Sequence, residues 1–364
     1  MAQKRNISKI ASKNAENITN QVEMACSRLC FQEIDAKPVI SWVDDSCANE
    51  GATSAKSARG ARGARSAKSA RGAKTAKGGE REITFFLSSD FPTNQLLALL
   101  PKGGGRGRFS CAAISSGEEL PEAAVELLCK AGRSALIGVQ RYLFPFANEL
   151  RINSAGGQIL RLGELRDDIT EAEPLLREAE YIFVDMRSVR HADYPSSSNT
   201  NPNGLFANEL CQIAHYIGFS TNLKAVYLFG LEAPQAAAAA SASATGTGVG
   251  VGVGVAAQVC ANLAAQLIWH ISDGVANNVK EEPALQKRSG KLPIKFEYRI
   301  VEFASQGDSI TFITSLITDR WWMEIPLVKK GTNKLIPCSK NDYELACQGD
   351  IPLRWLFFYN HLNK

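Results

Sequence analysis

The sequence predicts an α/β protein: a parallel sheet covered by helices on both faces, three layers in all, followed by a C-terminal antiparallel β addition. Three observations carry this. Short apolar runs such as YIFVDM (181–186) and LKAVYLFG (223–230) have the continuous hydrophobicity of strands buried on both faces. Segments of helical period separate these runs, and strand–helix alternation implies right-handed crossovers in one sheet. From about residue 291 the pattern changes to strands joined by a tight polar turn.

In chain order, EITFFLSS reads as a strand. GEELPEAAVELLCKAG reads as a helix ended by Gly132, and SALIGV as a second strand. ITEAEPLLREAE is predicted as a helix and YIFVDM as a buried strand. GLFANELCQIAHYIG follows as a helix closed by Gly218, and LKAVYLFG as a further strand. Beyond it Gln258, Asn262 and Gln266, four apart, draw a polar stripe on a helix that also carries Val259, Leu263, Leu267 and Ile271. IKFEYRIVEFASQGDSITFITS predicts a hairpin turning at Gln306-Gly307-Asp308, and RWWMEIPL a third strand. The chain then finishes in a short helix capped by Ser339, with Asp342 at the reciprocal position.

This divides the chain into an N-terminal segment (1–50), a basic low-complexity insertion (51–80), an α/β core (81–290) and a C-terminal β hairpin with a short helix (291–364). The core contains a second low-complexity tract, read as a loop over 235–257. The basic insertion repeats Ala, a basic residue and a small residue. It is expected to be disordered, because it has too little apolar surface to offset its ordering entropy. Its eight Lys and Arg exceed the formal net charge of +4, so the remainder carries about −4 and overall charge is no argument for nucleic acid. Residues 52–79 hold no aromatic residue, so weak phosphate binding is the most they suggest. The uncharged run from Ala233 to Ser272 is long enough for a bilayer, but its Gly, Ser and Thr content and its polar stripe point to a helix packed on a sheet. Nine cysteines without a CxxC pair suit a reducing compartment, and a cytoplasmic location is expected. Cys26 and Cys30, spaced for one helical face, lack a second ligand pair for zinc and read as buried or idle thiols.

Binding sites in parallel sheets lie beyond the carboxyl ends of strands, and Asp185 stands at such an end. The blocks RLGELRDDITEAEPLLREAEYIFVDMRSVRHADYP, ELCQIAHYIG, QLIWHISDGV, DRWWMEIP and IPCSKNDYELACQGDIPLRW together resemble the formimidoylglutamase-like branch of the arginase (ureohydrolase) superfamily. The resemblance runs from about Leu160 to the C-terminus, is faint from Ile83 to Leu150, and is absent before that. It implies a sheet of arginase type and a metal-dependent hydrolase of linear amidine C–N bonds. In that family two manganese ions, held by about four carboxylates and two imidazoles, carry the bridging hydroxide.

Laid on the family's third signature, Asp185 takes the first aspartate, Pro195-Ser196 the Pro-small pair and Gly204 the closing glycine, all at the family's spacing. The chemistry inside that frame has changed. Phe183 replaces the leading serine, Arg187 the second aspartate, and His191 the small or amide residue. Both family imidazoles precede this signature, yet the first histidine of this chain is His191. Gln140, in LIGVQRY, stands where one of them would fall.

The resemblance therefore implies a vestigial site with Asp185 as its one remaining metal ligand, no cofactor, and a protein that binds or assembles. The rival reading is an active manganese hydrolase with a rebuilt site. Strand alternation would aim Arg187 the same way as Asp185, giving a charge pair in place of the metal. Arg187, Arg190, His191, Asp193 and Gln140 are the other candidates for a pocket taking a small amidine or anionic ligand. A strand-end carboxylate and a solvated basic loop are the plainer readings of the same residues. His270 reads as structural, and Trp321 and Trp322 as packing. Glu232 falls near a substrate-facing family position, but the register lies closer to Gly230. A homo-oligomer is expected from the family, and no membrane association.

Overall fold

The computed structural model describes residues 20–29, 36–42, 81–93, 107–196, 198–231, 250–281, 283, 296–303 and 309–364. Its strands are β1 (Ala36–Trp42), β2 (Arg81–Leu87), β3 (Ser110–Ile114), β4 (Arg133–Val139), β5 (Gln158–Arg161), β6 (Tyr181–Asp185) and β7 (Ala225–Phe229). They form one parallel sheet in the order β1-β2-β7-β6-β3-β4-β5. The helices are α1 (Glu122–Lys130), α2 (Phe146–Ser154), α3 (Leu162–Asp167), α4 (Ala172–Leu176), α5 (Ala207–Gly218) and α6 (Gly250–Ala276).

Alternation along each central strand builds two cores. On β6, Ile182 and Val184 join Ile114, Ile137 and Leu228 against α5 and α6, while Tyr181 and Phe183 join Leu136, Tyr227 and Phe229 against α1. This two-sided burial is why β6 and β7 read as unbroken apolar runs. Helices α5 and α6 touch backbone to backbone at Gly218 and Gly274. A Cβ on Gly218 would stand 2.6 Å from the Gly274 Cα.

The second sheet is antiparallel, ordered β11-β10-β9-β8: β8 (Phe296–Glu302), β9 (Ser309–Ser315), β10 (Trp321–Leu327) and β11 (Thr332–Cys338). One face carries α7 (Lys340–Cys347) and α8 (Leu353–Leu362), packed through Phe312, Met323, Ile336 and Phe358. The predicted Ser339–Asp342 capping box is present on α7. Trp321 stacks on Tyr343 at 4.8 Å, and Trp322 lies under the Arg177 guanidinium at 4.8 Å, so both tryptophans pack. Charged groups fasten this sheet to the first. Arg177, at the end of α4, pairs with Glu173 and donates to the Trp321 carbonyl at 2.7 Å. Arg320 also reaches Glu173, and Arg354 on α8 pairs with Glu171 and Asp342.

Several boundaries differ from expectation. The N-terminal segment is part of the core: β1 pairs with β2, and Val22, Ala25 and Cys26 of the helical residues 20–26 are buried. The tract read as a loop to 257 is helical from Gly250; residues 235–249 lie outside the described set, as do 51–80, Cys30, Glu232 and the hairpin turn at 306–308. Helix α1 starts at Glu122, after Pro121, because a proline ring suits a helix start and not its interior. Strands β1, β3, β5 and β11 and helices α2, α3 and α8 are additional to the elements predicted. The seven described cysteines are free, and burial pushes the Cys26 thiol up to about 12. Among the described residues no helix is long and apolar enough to cross a membrane.

Candidate functional site at the carboxyl end of the sheet

Strand β6 ends on Asp185, which is 1% exposed. The chain turns there through the short 3-10 helix Met186–Ser188, started by Asp185 itself: its Oδ1 accepts the Arg187 backbone N–H at 3.0 Å. That turn swings Arg187 back over the carboxylate. Its Nε donates to Oδ1 at 2.9 Å and its Nη2 to Oδ2 at 3.2 Å, a two-pronged pair. The predicted contact therefore exists, but the 3-10 turn makes it and strand alternation does not. Gly230, after β7, closes the other side. Its φ is +76°, and a Cβ there would lie 2.8 Å from Asp185 Oδ1.

Electrostatically each member of the pair is the other's main charged partner. Burial pushes the Asp185 carboxyl up, while the charge, side-chain N–H groups and backbone N–H of Arg187 pull it back. At Arg187 burial lowers and the charges of Asp185, Glu119 and Asp90 raise, with a result above the ordinary arginine value. Glu119 also meets Arg187 Nη1 at 3.4 Å from a backbone φ of +51°.

The loop after the turn returns to its own start, with Leu205 bridging to Val189 just past the 3-10 helix. Gly204 is required there, since a Cβ would sit 2.5 Å from the Ser188 carbonyl and 2.6 Å from the Arg190 nitrogen. Three alternate asparagines hold the loop. Asn199 donates to the carbonyls of Val189 and Tyr194, Asn199 Oδ1 accepts the Asn201 N–H, and Asn201 Oδ1 accepts the Asn203 N–H. Buried Tyr194 donates to the Gly230 carbonyl at 3.0 Å. NTNPNG has the composition of a turn, but nothing in it marks which asparagines bond inward.

The six candidate residues separate into two ion pairs and two single residues. Asp185 and Arg187 form the pair above. Arg190 binds Asp193 at 2.9 Å and lies over the Phe206 ring at 4.2 Å; Arg166 covers the same ring at 4.7 Å. The Arg190 hydrogen bond holds the Asp193 carboxyl below its usual range, and Asp193 Oδ2 accepts the first N–H of α5, from Ala207, at 3.0 Å. Exposed His191 meets the Asn199 carbonyl through Nδ1. Buried Gln140, at the end of β4, bonds Asn203 and Tyr142, so its amide secures the loop. Each arginine of the expected anion pocket is thus committed to a carboxylate. His270 lies half-buried on α6, its imidazole held below the usual range by burial and by His215. Among the described residues no three His, Cys, Asp or Glu side chains come together as a metal-holding group.

No family model and no curated protein matches the chain. Among solved structures, Trypanosoma cruzi formiminoglutamase with Mn2+ is similar at 14% identity and TM-score 0.42, over 54% of this chain and 65% of that one. Formimidoylglutamase from Bacillus subtilis is similar at 13% identity and TM-score 0.39, over 54% and 62%. Arginase from Medicago truncatula gives 16% identity and TM-score 0.35, over 53% and 60%. The chain thus spans less than two thirds of the length of these structures.

Proposed function

We propose that this chain is a non-catalytic descendant of the arginase superfamily, retained for binding or assembly after its dimanganese site was lost. One observation carries the reading: the carboxylate at the metal-binding position is saturated by a guanidinium of the same chain, with Oδ1 and Oδ2 both accepting from Arg187. A divalent ion beside Asp185 would face that fixed cation at a cost of several kcal/mol, even at an effective dielectric near 20. As arranged, Asp185, Arg187 and Gly230 do not fit a metal pair. The retained spacing of Pro195-Ser196 and Gly204 supports the ancestry without supporting activity, because Gly204 is demanded by backbone approach.

A second reading draws on a different observation. Glu119 meets Arg187 Nη1 at 3.4 Å, which brings a second carboxylate to the strand end beside Asp185, the start of a rebuilt hydrolase site. Manganese content of the purified protein, measured with hydrolysis of formiminoglutamate, agmatine and arginine, separates the two. The first reading expects neither bound metal nor turnover. Roughly two ions per chain with hydrolysis of one of these compounds overturns it.

A further inference from the structure

Strand β8 is an outer strand of the antiparallel sheet, and it pairs along its whole length with β9, from Phe296 opposite Ser315 to Glu302 opposite Ser309, without a bulge. Its other edge meets no described strand. Edge strands are usually guarded by proline, a bulge or inward charges. FEYRIVE has no proline; its one inward charge, Arg299, is already engaged by Glu297, Trp321 and Tyr343, and Ile300 stands 65% exposed.

We propose that this edge pairs with the β8 edge of a second copy of the chain, antiparallel about a two-fold axis, and joins two four-stranded sheets into one. The proposal goes beyond the reading above, naming the partner and the surface of assembly. Residues opposite each other in an antiparallel ladder must share the same bonding phase, so a two-fold pair aligns residues whose numbers sum to an even value. Among such registers, placing Glu297 opposite its mate, or Arg299 opposite its mate, sets like charges face to face. Moving two residues beyond the Arg299 register leaves Arg299 opposite Val301. In one register Glu297 lies opposite Arg299 twice, Phe296 opposite Ile300 twice, and Tyr298 on the axis. Charge and apolar pattern therefore select the same alignment, with a second copy as the occupant. Arg299 is already steadied for it, bonded to Glu297 Oε2 at 3.0 Å and lying 5.3 Å from the ring centres of both Trp321 and Tyr343.

Sedimentation equilibrium of the full chain tests this. The wild type is expected to dimerise reversibly, and Glu297→Arg to weaken the dimer on the order of tenfold by setting two pairs of arginines opposite each other. Arg299→Glu is expected to weaken it similarly, and an equimolar mixture of the two variants to regain it, since both cross-strand pairs become opposite again. Because Arg299 lies against Trp321 and Tyr343, tryptophan circular dichroism must show that its variant folds; Ile300→Lys, which leaves Arg299 in place, gives the independent arm and should also yield monomer. A monomeric wild type, a dimer indifferent to Glu297→Arg and Ile300→Lys, or a mixture of folded variants no tighter than either alone overturns the proposal.

Discussion

Arg177 is buried and Arg187 half-buried, each against a carboxylate, yet they do opposite work. Arg177 joins distant parts of the chain: Glu173 one turn before it, and the Trp321 carbonyl and Trp322 ring in the other sheet. Arg187 answers an acid two residues away and closes a strand end. A long-range tie holds pieces together, whereas a local one fills a place. Removing the first should loosen an interface; removing the second should leave a hole of known chemistry.

The largest effect is therefore expected at Arg177. Arg177→Ala leaves Glu173 and the Trp321 carbonyl short of a donor, and should cost about 3–5 kcal/mol in urea unfolding. Lysine should not rescue it, lacking the planar fork that serves all three contacts. Arg187→Ala should cost about 3 kcal/mol at neutral pH, because it strands the Asp185 carboxylate. Here pH distinguishes the two regions. Without its cation the buried carboxyl rises further above the unfolded value of about 3.9, so the folded variant binds a proton more tightly than the unfolded chain. Its stability then falls as pH rises through that window, and the deficit against wild type shrinks in acid. Millimolar methylguanidine should restore part of the loss in Arg187→Ala and none in Arg177→Ala; equal responses would erase the distinction. The smallest effect is expected from Gly230→Ala, about 1–3 kcal/mol from its positive φ and the crowding of Asp185. Thermal unfolding with and without Arg187→Ala would show whether the two changes couple.

The sequence was most readable where one physical cause acted alone. YIFV is apolar and β-prone throughout, so β6 and the position of Asp185 followed directly. SCAAI, which forms β3 in the middle of the sheet, has little strand propensity of its own and is a strand because β4 and β6 flank it. TNKLIPC begins with polar residues and conceals β11 for the same reason. At the site, the Asp185–Arg187 contact was legible and its geometry was not, because a side chain starting a 3-10 turn looks the same in sequence as one continuing a strand. The inward bonds of Asn199, Asn201 and Asn203 depend on where the loop returns, which no local pattern states.

The close packing of Gly204 on Ser188 and Arg190 has a bearing on how such chains are sorted. A motif that ends in this glycine selects for a way of folding back, whatever side chains stand inside it. Sorting by the charge of the residue two past the strand-end aspartate would separate chains with an acid there from those that, like this one, carry a base.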